Sequence, residues 1–447
     1  MTDDKYIFKP ETKRQLVIAA VAGILLVILG IITTGSGGHH EEHHALNSVS
    51  NSLVASTDSH VVLTAEATES HGEHAETTPW LKRLFTNLWL NNVYFTGLAI
   101  IGLCFVAIQY AASAGWSAPI KRIPLAMASW LPIAAVLMIG VWFIANHDIF
   151  HWTHSSLYGE SGDEVLKGKQ GFFYWPLGGE SGFPVFYIFR MFLFFGVWYM
   201  FFIWIKKEML AEDLDASTGH WFKLRKLSAI FLVFFAYSSS VSAWDWVMSI
   251  DPHWFSTMFG WYVFASWWVS GLAFIALSTA ILKKNGYLKM INANHLHDLG
   301  KFVFAFSIFW TYIWFSQFLL IYYVNVPEET VYFIERLTTS PYSWIFFLNL
   351  ILNFLLPFLL FMTRDSKRQV SILMLVTPIV LVGHWFDFYL MINPGVMKEN
   401  GGVGFMEIGM TLLFGAAFIY VMLSNLSRVP LVAKNHPMME ESLHHHI

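Results

Sequence analysis

The sequence predicts an all-α integral membrane protein with ten transmembrane helices: two four-helix bundles, spans 2–5 and 6–9, flanked by spans 1 and 10. Three observations predict it. The composition is apolar and poor in charge, ten stretches are long enough to cross a bilayer, and two helix-end segments repeat at an offset of 142 residues.

Of the 447 residues, 55% are hydrophobic and 17% aromatic, while 13% are charged. A soluble domain carries about 25% charged residues, so this surface suits lipid. A net charge of −4 gives no basic footprint for nucleic acid. Cys104 is the only cysteine. That excludes an intrachain disulfide and an iron–sulfur cluster ligated by this chain alone. No phosphate-cradling glycine loop or dinucleotide-binding glycine signature is present. Redox or nucleotide chemistry therefore has to come from a bound molecule or a partner.

A hydrocarbon core of about 30 Å needs roughly 20 apolar residues per helix. Stretches of that kind cover 16–34, 93–112, 125–145, 185–205, 227–248, 257–282, 302–324, 344–362, 370–390 and 408–426. Alternating strands of about ten residues are absent, which removes a barrel. The first stretch follows Lys5, Lys9, Lys13 and Arg14 with no small-x-small cleavage site after it, so it reads as a retained span. With the N-terminus inside, 20 of the 27 Lys and Arg fall on the cytoplasmic side, and both termini are cytoplasmic.

The expected organisation is a tail and first span (1–34), an outer loop (35–90), a first bundle (91–252), a second bundle (253–394) and a last span with its tail (395–447). The outer loop carries His39, His40, Glu41, Glu42, His43 and His44, then His71 and His74. Ligands this dense invite a divalent metal; a solvated loop is the alternative. The bundles are inferred from the repeat. The run from Asp245 to Pro252, DWVMSIDP, matches DFYLMINP from Asp387 to Pro394. Each closes a span at its outer end, with four spans between them, as expected of parallel repeats.

An ionisable side chain at mid-bilayer costs about 2.5–3.5 kcal/mol on insertion scales, so each one is a candidate for function. Asp245, Asp251, His253, His384 and Asp387 form the candidate proton path. His384 and Asp387 lie three apart on one helix face, and a carboxylate beside an imidazole suits a relay. Capping of a helix end is the alternative. His147, His151 and His154, spaced i, i+4 and i+7 at the end of the third span, suit a metal or haem if they share a helical face. Against this, the chain lacks a facing histidine set at matching depth, and interfacial histidines need no metal. Trp244, Trp246 and Trp254 offer faces for a quinone headgroup, or anchor the aromatic belt. Arg190 either snorkels or pairs with an outer acid. Glu407 is expected at the interface. Ser238 to Ser240, Thr311, Tyr312, Gln317, Asn349 and Asn353 read as hydrogen-bonding glue between helices or as groups that order water.

The stretch 242–264, SAWDWVMSIDPHWFSTMFGWYVF, together with GHWFD at 383–387, resembles the ActF membrane subunits of bacterial alternative complex III. The resemblance covers essentially the whole chain. That family is similar to the NrfD and polysulfide reductase membrane subunits. It implies a complex in the bacterial cytoplasmic membrane that oxidises quinol near the outer face. Electrons then pass through iron–sulfur and haem c subunits to a cytochrome c or an oxidase. It also implies a related second membrane subunit, better supported as the quinol site, and proton half-channels that would employ Asp245, His384 and Asp387. This chain would hold no redox centre of its own. A lipid-binding anchor of the complex and a secondary transporter are the rival functions. Against the latter, no pair of spans is interrupted by Gly or Pro at corresponding depths.

Overall fold

The computed structural model describes residues 5–52, 78–215 and 217–446, with side chains from 5 to 35 and throughout the later stretches. Among the described residues, ten helices are long and apolar enough to cross a membrane. Helices are the form expected there, because hydrocarbon offers the backbone no partner. They are α1 (Pro10–Ser52), α2 (Pro79–Ala111), α3 (Arg122–Ile149), α4 (Val185–Glu212), α5 (Gly219–Trp246), α6 (Phe259–Lys284), α7 (Ala293–Val324), α8 (Tyr342–Leu360), α9 (Val370–Met397) and α10 (Phe405–Leu426).

Two boundaries differ from the sequence expectation. Helix α2 starts at Pro79, not near residue 93, so 79–90 belong to the first bundle rather than to a loop. Lys82, Arg83, Asn87, Asn91 and Asn92 depress the hydropathy of its first turns, which hides them from a search for apolar runs. Packing satisfies some of their polar groups across helices: Asn92 Nδ2 donates to Ala134 O on α3 (3.0 Å). Helix α1 continues to Ser52, so the backbone after Gly35 is helical where a loop is expected. The side chains of His39 to His44, and residues 53–77 with His71 and His74, lie outside the described residues.

Helices α2–α5 pack as one bundle and α6–α9 as a second, with α2 and α6 between them as the most enclosed spans. The bundles are pinned by specific contacts. Trp385 Nε1 donates to Asn91 Oδ1 (3.1 Å), and Tyr94 OH donates to Leu381 O (2.9 Å). Gly97 leaves room for the Trp267 ring, since a Cβ there would stand 1.8 Å from it. Helix α1 lies against α10 where Gly23 and Gly409 meet backbone to backbone. Elsewhere α1 bares Val17, Ile18, Leu25 and Ile32. On the other spans Val136, Ile144 and Val233 are likewise exposed, as a lipid-facing surface requires.

One end of the molecule carries the longer connections 150–184, 251–258, 325–341 and 398–404, and is called the loop end below. The other carries the C-terminal residues 427–446 and is the tail end. At the loop end, Asp163 caps the short helix Glu164–Tyr174 by accepting from Val165 N and Leu166 N. The helix Pro327–Thr338 lies over the second bundle and buries Tyr332, Phe333 and Arg336.

Candidate functional site

In the first bundle, Asp245 on α5 is buried, and Arg190 on α4 grips it with two hydrogen bonds, Nε–Oδ2 at 2.8 Å and Nη2–Oδ1 at 2.7 Å. The guanidinium also donates to Phe172 O (2.7 Å) and lies against the Phe172 and Phe186 rings. Arg190 therefore pairs inward rather than snorkelling. Low dielectric makes such a fork strong, and breaking it strands a charge. Asp245 is occupied structurally.

The corresponding aspartate of the second bundle is treated differently. Asp387 on α9 is wholly buried, and neutral donors surround it: Tyr262 OH from α6, Trp310 Nε1 from α7 (2.9 Å) and Asn349 Nδ2 from α8 (2.9 Å). Asn353 Nδ2 donates in turn to Asn349 Oδ1 (2.5 Å). Asn353 sits in a π-helical turn, Ile351–Leu355, that interrupts α8. Turns of this kind are frequent at functional sites. Gly383 admits it, since a Cβ there would stand 2.2 Å from Asn353 Oδ1.

Among the described residues, the one ion-pair partner of Asp387 within 4.0 Å is His384, with Nδ1–Oδ2 at 3.9 Å. That is too long for a hydrogen bond. His384 Nδ1 instead stands 3.0 Å from Ser266 Oγ, while its Nε2 is buried without a hydrogen-bond partner. Trp310 meets the imidazole edge-on at 5.3 Å. Four helices thus converge on one carboxylate–imidazole site. An arginine keeps its proton at any working pH. Here the neighbours are a phenol, an indole, an amide and an imidazole, so the proton content of the site is not fixed by a permanent cation.

Two openings lie between this site and the loop end. Tyr262, Tyr332, Arg336 and Gln317 line a crevice of about 10 Å³, the room one water needs. Tyr332 also lines a cavity of about 720 Å³ where the two bundles meet. That cavity brings together six candidates: His147, His151, His154, Asp251, His253 and Trp254. The three histidines do not share a helical face, because α3 ends at Ile149 and the chain turns through short 3-10 segments at 151–153 and 155–158. They still gather, with ring centroids 5.0 Å apart for His147–His154 and 6.0 Å for His151–His154. Among the described residues no group of three His, Cys, Asp or Glu is set to hold a metal ion. Burial first, then His154 and His253, push His151 below the usual imidazole range.

The other loop-end candidates have partners. Arg336, itself buried, donates to Asp251 Oδ2 (3.0 Å) and to Leu390 O (2.7 Å). Burial works against its charge, but Tyr332 and Asp251 more than offset this and raise it. His253 Nε2 is 2.5 Å from Asp163 Oδ2. The three tryptophans do not form one platform: Trp254 stacks on Tyr332 at 3.9 Å, while Trp246 is buried against Phe195 and Trp198. Trp244 makes no ring contact with either among the described contacts. Glu407, in the first turn of α10, is buried, with Arg83 donating to both oxygens at 2.7 and 2.8 Å.

Tyr262, Trp310, Tyr332 and Arg336 escape a reading of the sequence. Their types are common at span ends in this aromatic-rich chain, and only tertiary packing aims them at Asp387 or Asp251. Asn349 and Asn353, spaced i and i+4, did carry a signal. Compared with known proteins, no family model matches the chain and no curated protein matches it.

Proposed function

We propose that this chain is a membrane subunit of a quinol-oxidising respiratory complex, without a redox centre of its own, whose second bundle supplies a proton path. The observation that carries the proton path is the environment of Asp387: fully buried, served by neutral donors from three helices, and paired among the described residues with no lysine or arginine. Burying a carboxylate without a cation is costly, and such sites inside a membrane mark ion or proton pathways.

The path runs from the loop-end cavity past Tyr332, through the crevice, to Tyr262 and Asp387. From there His384 and the hydroxyls of Ser266 and Ser270 lead toward the tail end. The first bundle, with Asp245 locked by Arg190, serves as scaffold. The loop end faces outward and the tail end faces the cytoplasm, following the distribution of Lys and Arg. Membership of a quinol-oxidising complex rests on the resemblance of 242–264 and 383–387. On that reading, iron–sulfur and haem c groups reside in partner subunits, alongside a related membrane subunit, and quinol is the reductant.

Purification from native membranes in mild detergent tests the assignment. The expected result is co-purification with haem c and iron–sulfur subunits and quinol-dependent reduction of a cytochrome c. A chain that comes away alone and colourless, under conditions that keep respiratory complexes intact, contradicts it.

A further inference from the structure

A second buried cluster lies at the tail end of the first bundle, apart from the path above. Lys121, just before α3, is 1% exposed. Its ammonium position lies over the Tyr110 ring at 4.0 Å, and Tyr110 OH donates to the buried Glu212 (3.3 Å). The C-terminal segment closes the cluster. His436 is buried there with Nε2 2.9 Å from Lys121 Nζ. Lys434 N and Asn435 Nδ2 bind Asp213, which also takes Arg122 at 2.6 Å. Farther on, Ser442 meets His295, and His445 Nε2 stands 2.6 Å from Asp298. The tail thus fastens to both bundles.

The hydrogen bonds of His436 constrain the proton on Lys121. Met438 N–H donates to His436 Nδ1 (3.2 Å), so Nδ1 is the acceptor and the ring proton sits on Nε2. An ammonium has three donors and no lone pair, and would set donor against donor. A neutral amine accepts the Nε2–H instead.

We propose that Lys121 is a proton-binding site whose neutral amine anchors the C-terminal segment through His436, so that proton uptake on Lys121 loosens the segment from the first bundle. In that step Lys121–NH2 takes one proton to become –NH3+, and the Nε2–H···Nζ hydrogen bond is lost. The ammonium then turns to the Tyr110 face and to the carboxylates that face it, Glu212 from α4 and Glu441 from the tail; Arg122 and Asp213 stand alongside as an ion pair.

Burial, opposed by Glu212 and Glu441, pushes Lys121 down to about 7. Burial also takes His436 down to about 3, leaving it neutral in the working range. A lysine released to water titrates near 10.4. The docked tail therefore binds fewer protons than the released one between about 7 and about 10.4, and docking strengthens as pH rises through that window.

The test is a spin label on Glu440→Cys in the full chain in nanodiscs, with buried Cys104 left in place. The ratio of immobilised to mobile label is followed from pH 6 to 10. Between pH 6 and 7 the released His436 imidazole, near 6.5, moves it by only about threefold, and above 7 it is expected to climb by up to roughly tenfold per pH unit. Lys121→Met should abolish the climb. His436→Gln should shrink it while keeping the tail docked, because an amide presents either a donor or an acceptor. A wild-type ratio that does not change with pH, or an equal climb in Lys121→Met, overturns the proposal.

Discussion

Asp245 and Asp387 stand 142 residues apart in the repeat and lie on the last helix of each bundle, Asp245 one residue before the end of α5 and Asp387 ten before the end of α9; Arg190 grips the first, and among the described residues no arginine or lysine pairs with the second. The third helix of each bundle supplies a donor in both cases, Arg190 on α4 and Asn349 on α8. Exchanging a guanidinium for an amide leaves the carboxylate hydrogen-bonded but not permanently neutralised. The two bundles share an architecture and divide its uses between a locked ion pair and a carboxylate held by neutral donors.

Removing the arginine should expose how much the first bundle depends on it. Arg190→Met leaves Asp245 buried without its cation and should destabilise the protein by about 3–5 kcal/mol. Replacing both partners, Arg190→Met with Asp245→Leu, should restore most of that loss. Unfolding transitions in detergent measure it, and an unchanged transition in the single variant would contradict the role.

Contact between the bundles depends on a missing side chain. A Cβ on Gly97 would lie 1.8 Å from Trp267 Cδ1, so Gly97→Val forces the ring or the helices apart. Overpacking of this kind costs about 1–3 kcal/mol, and more where a helix has to move. The melting temperature should fall, and adding Trp267→Leu should recover part of it.

At the loop end, Asp163 lies below its usual value first because His253 hydrogen-bonds to it, with further help from Val165 N and Leu166 N. A depressed carboxylate stabilises fully above its unfolded value, about 3.9, and the contribution is lost as pH falls through the lower folded value. Protection of the amides in 164–174, taken relative to their intrinsic exchange rates, should therefore hold above about pH 4 and fall below it. His253→Ala should move that fall to higher pH.

Much of this fold was legible because a bilayer imposes length and apolarity on each span, and ten runs satisfied both. The start of α2 was not, since Arg83 and Asn87 look like loop residues until Glu407 is seen to satisfy them. The aspartates and His384 announced themselves as costly charges at span ends. Their unequal fates did not: nothing near Asp245 in sequence points to Arg190, 55 residues away. Tyr262 lies 125 residues from Asp387 and Trp310 lies 77 away, so only packing reveals them as donors. The i, i+4, i+7 spacing of His147, His151 and His154 suggests one helical face, and a helix ending at Ile149 brings them together by a turn instead.

The most direct measurement is the number of protons released per electron during quinol oxidation, in liposomes holding the complex with Asp387→Asn. Asparagine preserves the size of the site and removes the group that takes up a proton. With partner subunits still bound, electron transfer is expected to continue while the protons carried by this path disappear; Arg190→Met with Asp245→Leu should leave that ratio unchanged. An Asp387→Asn complex that releases protons at the wild-type ratio would contradict the assignment of the second bundle as a proton path.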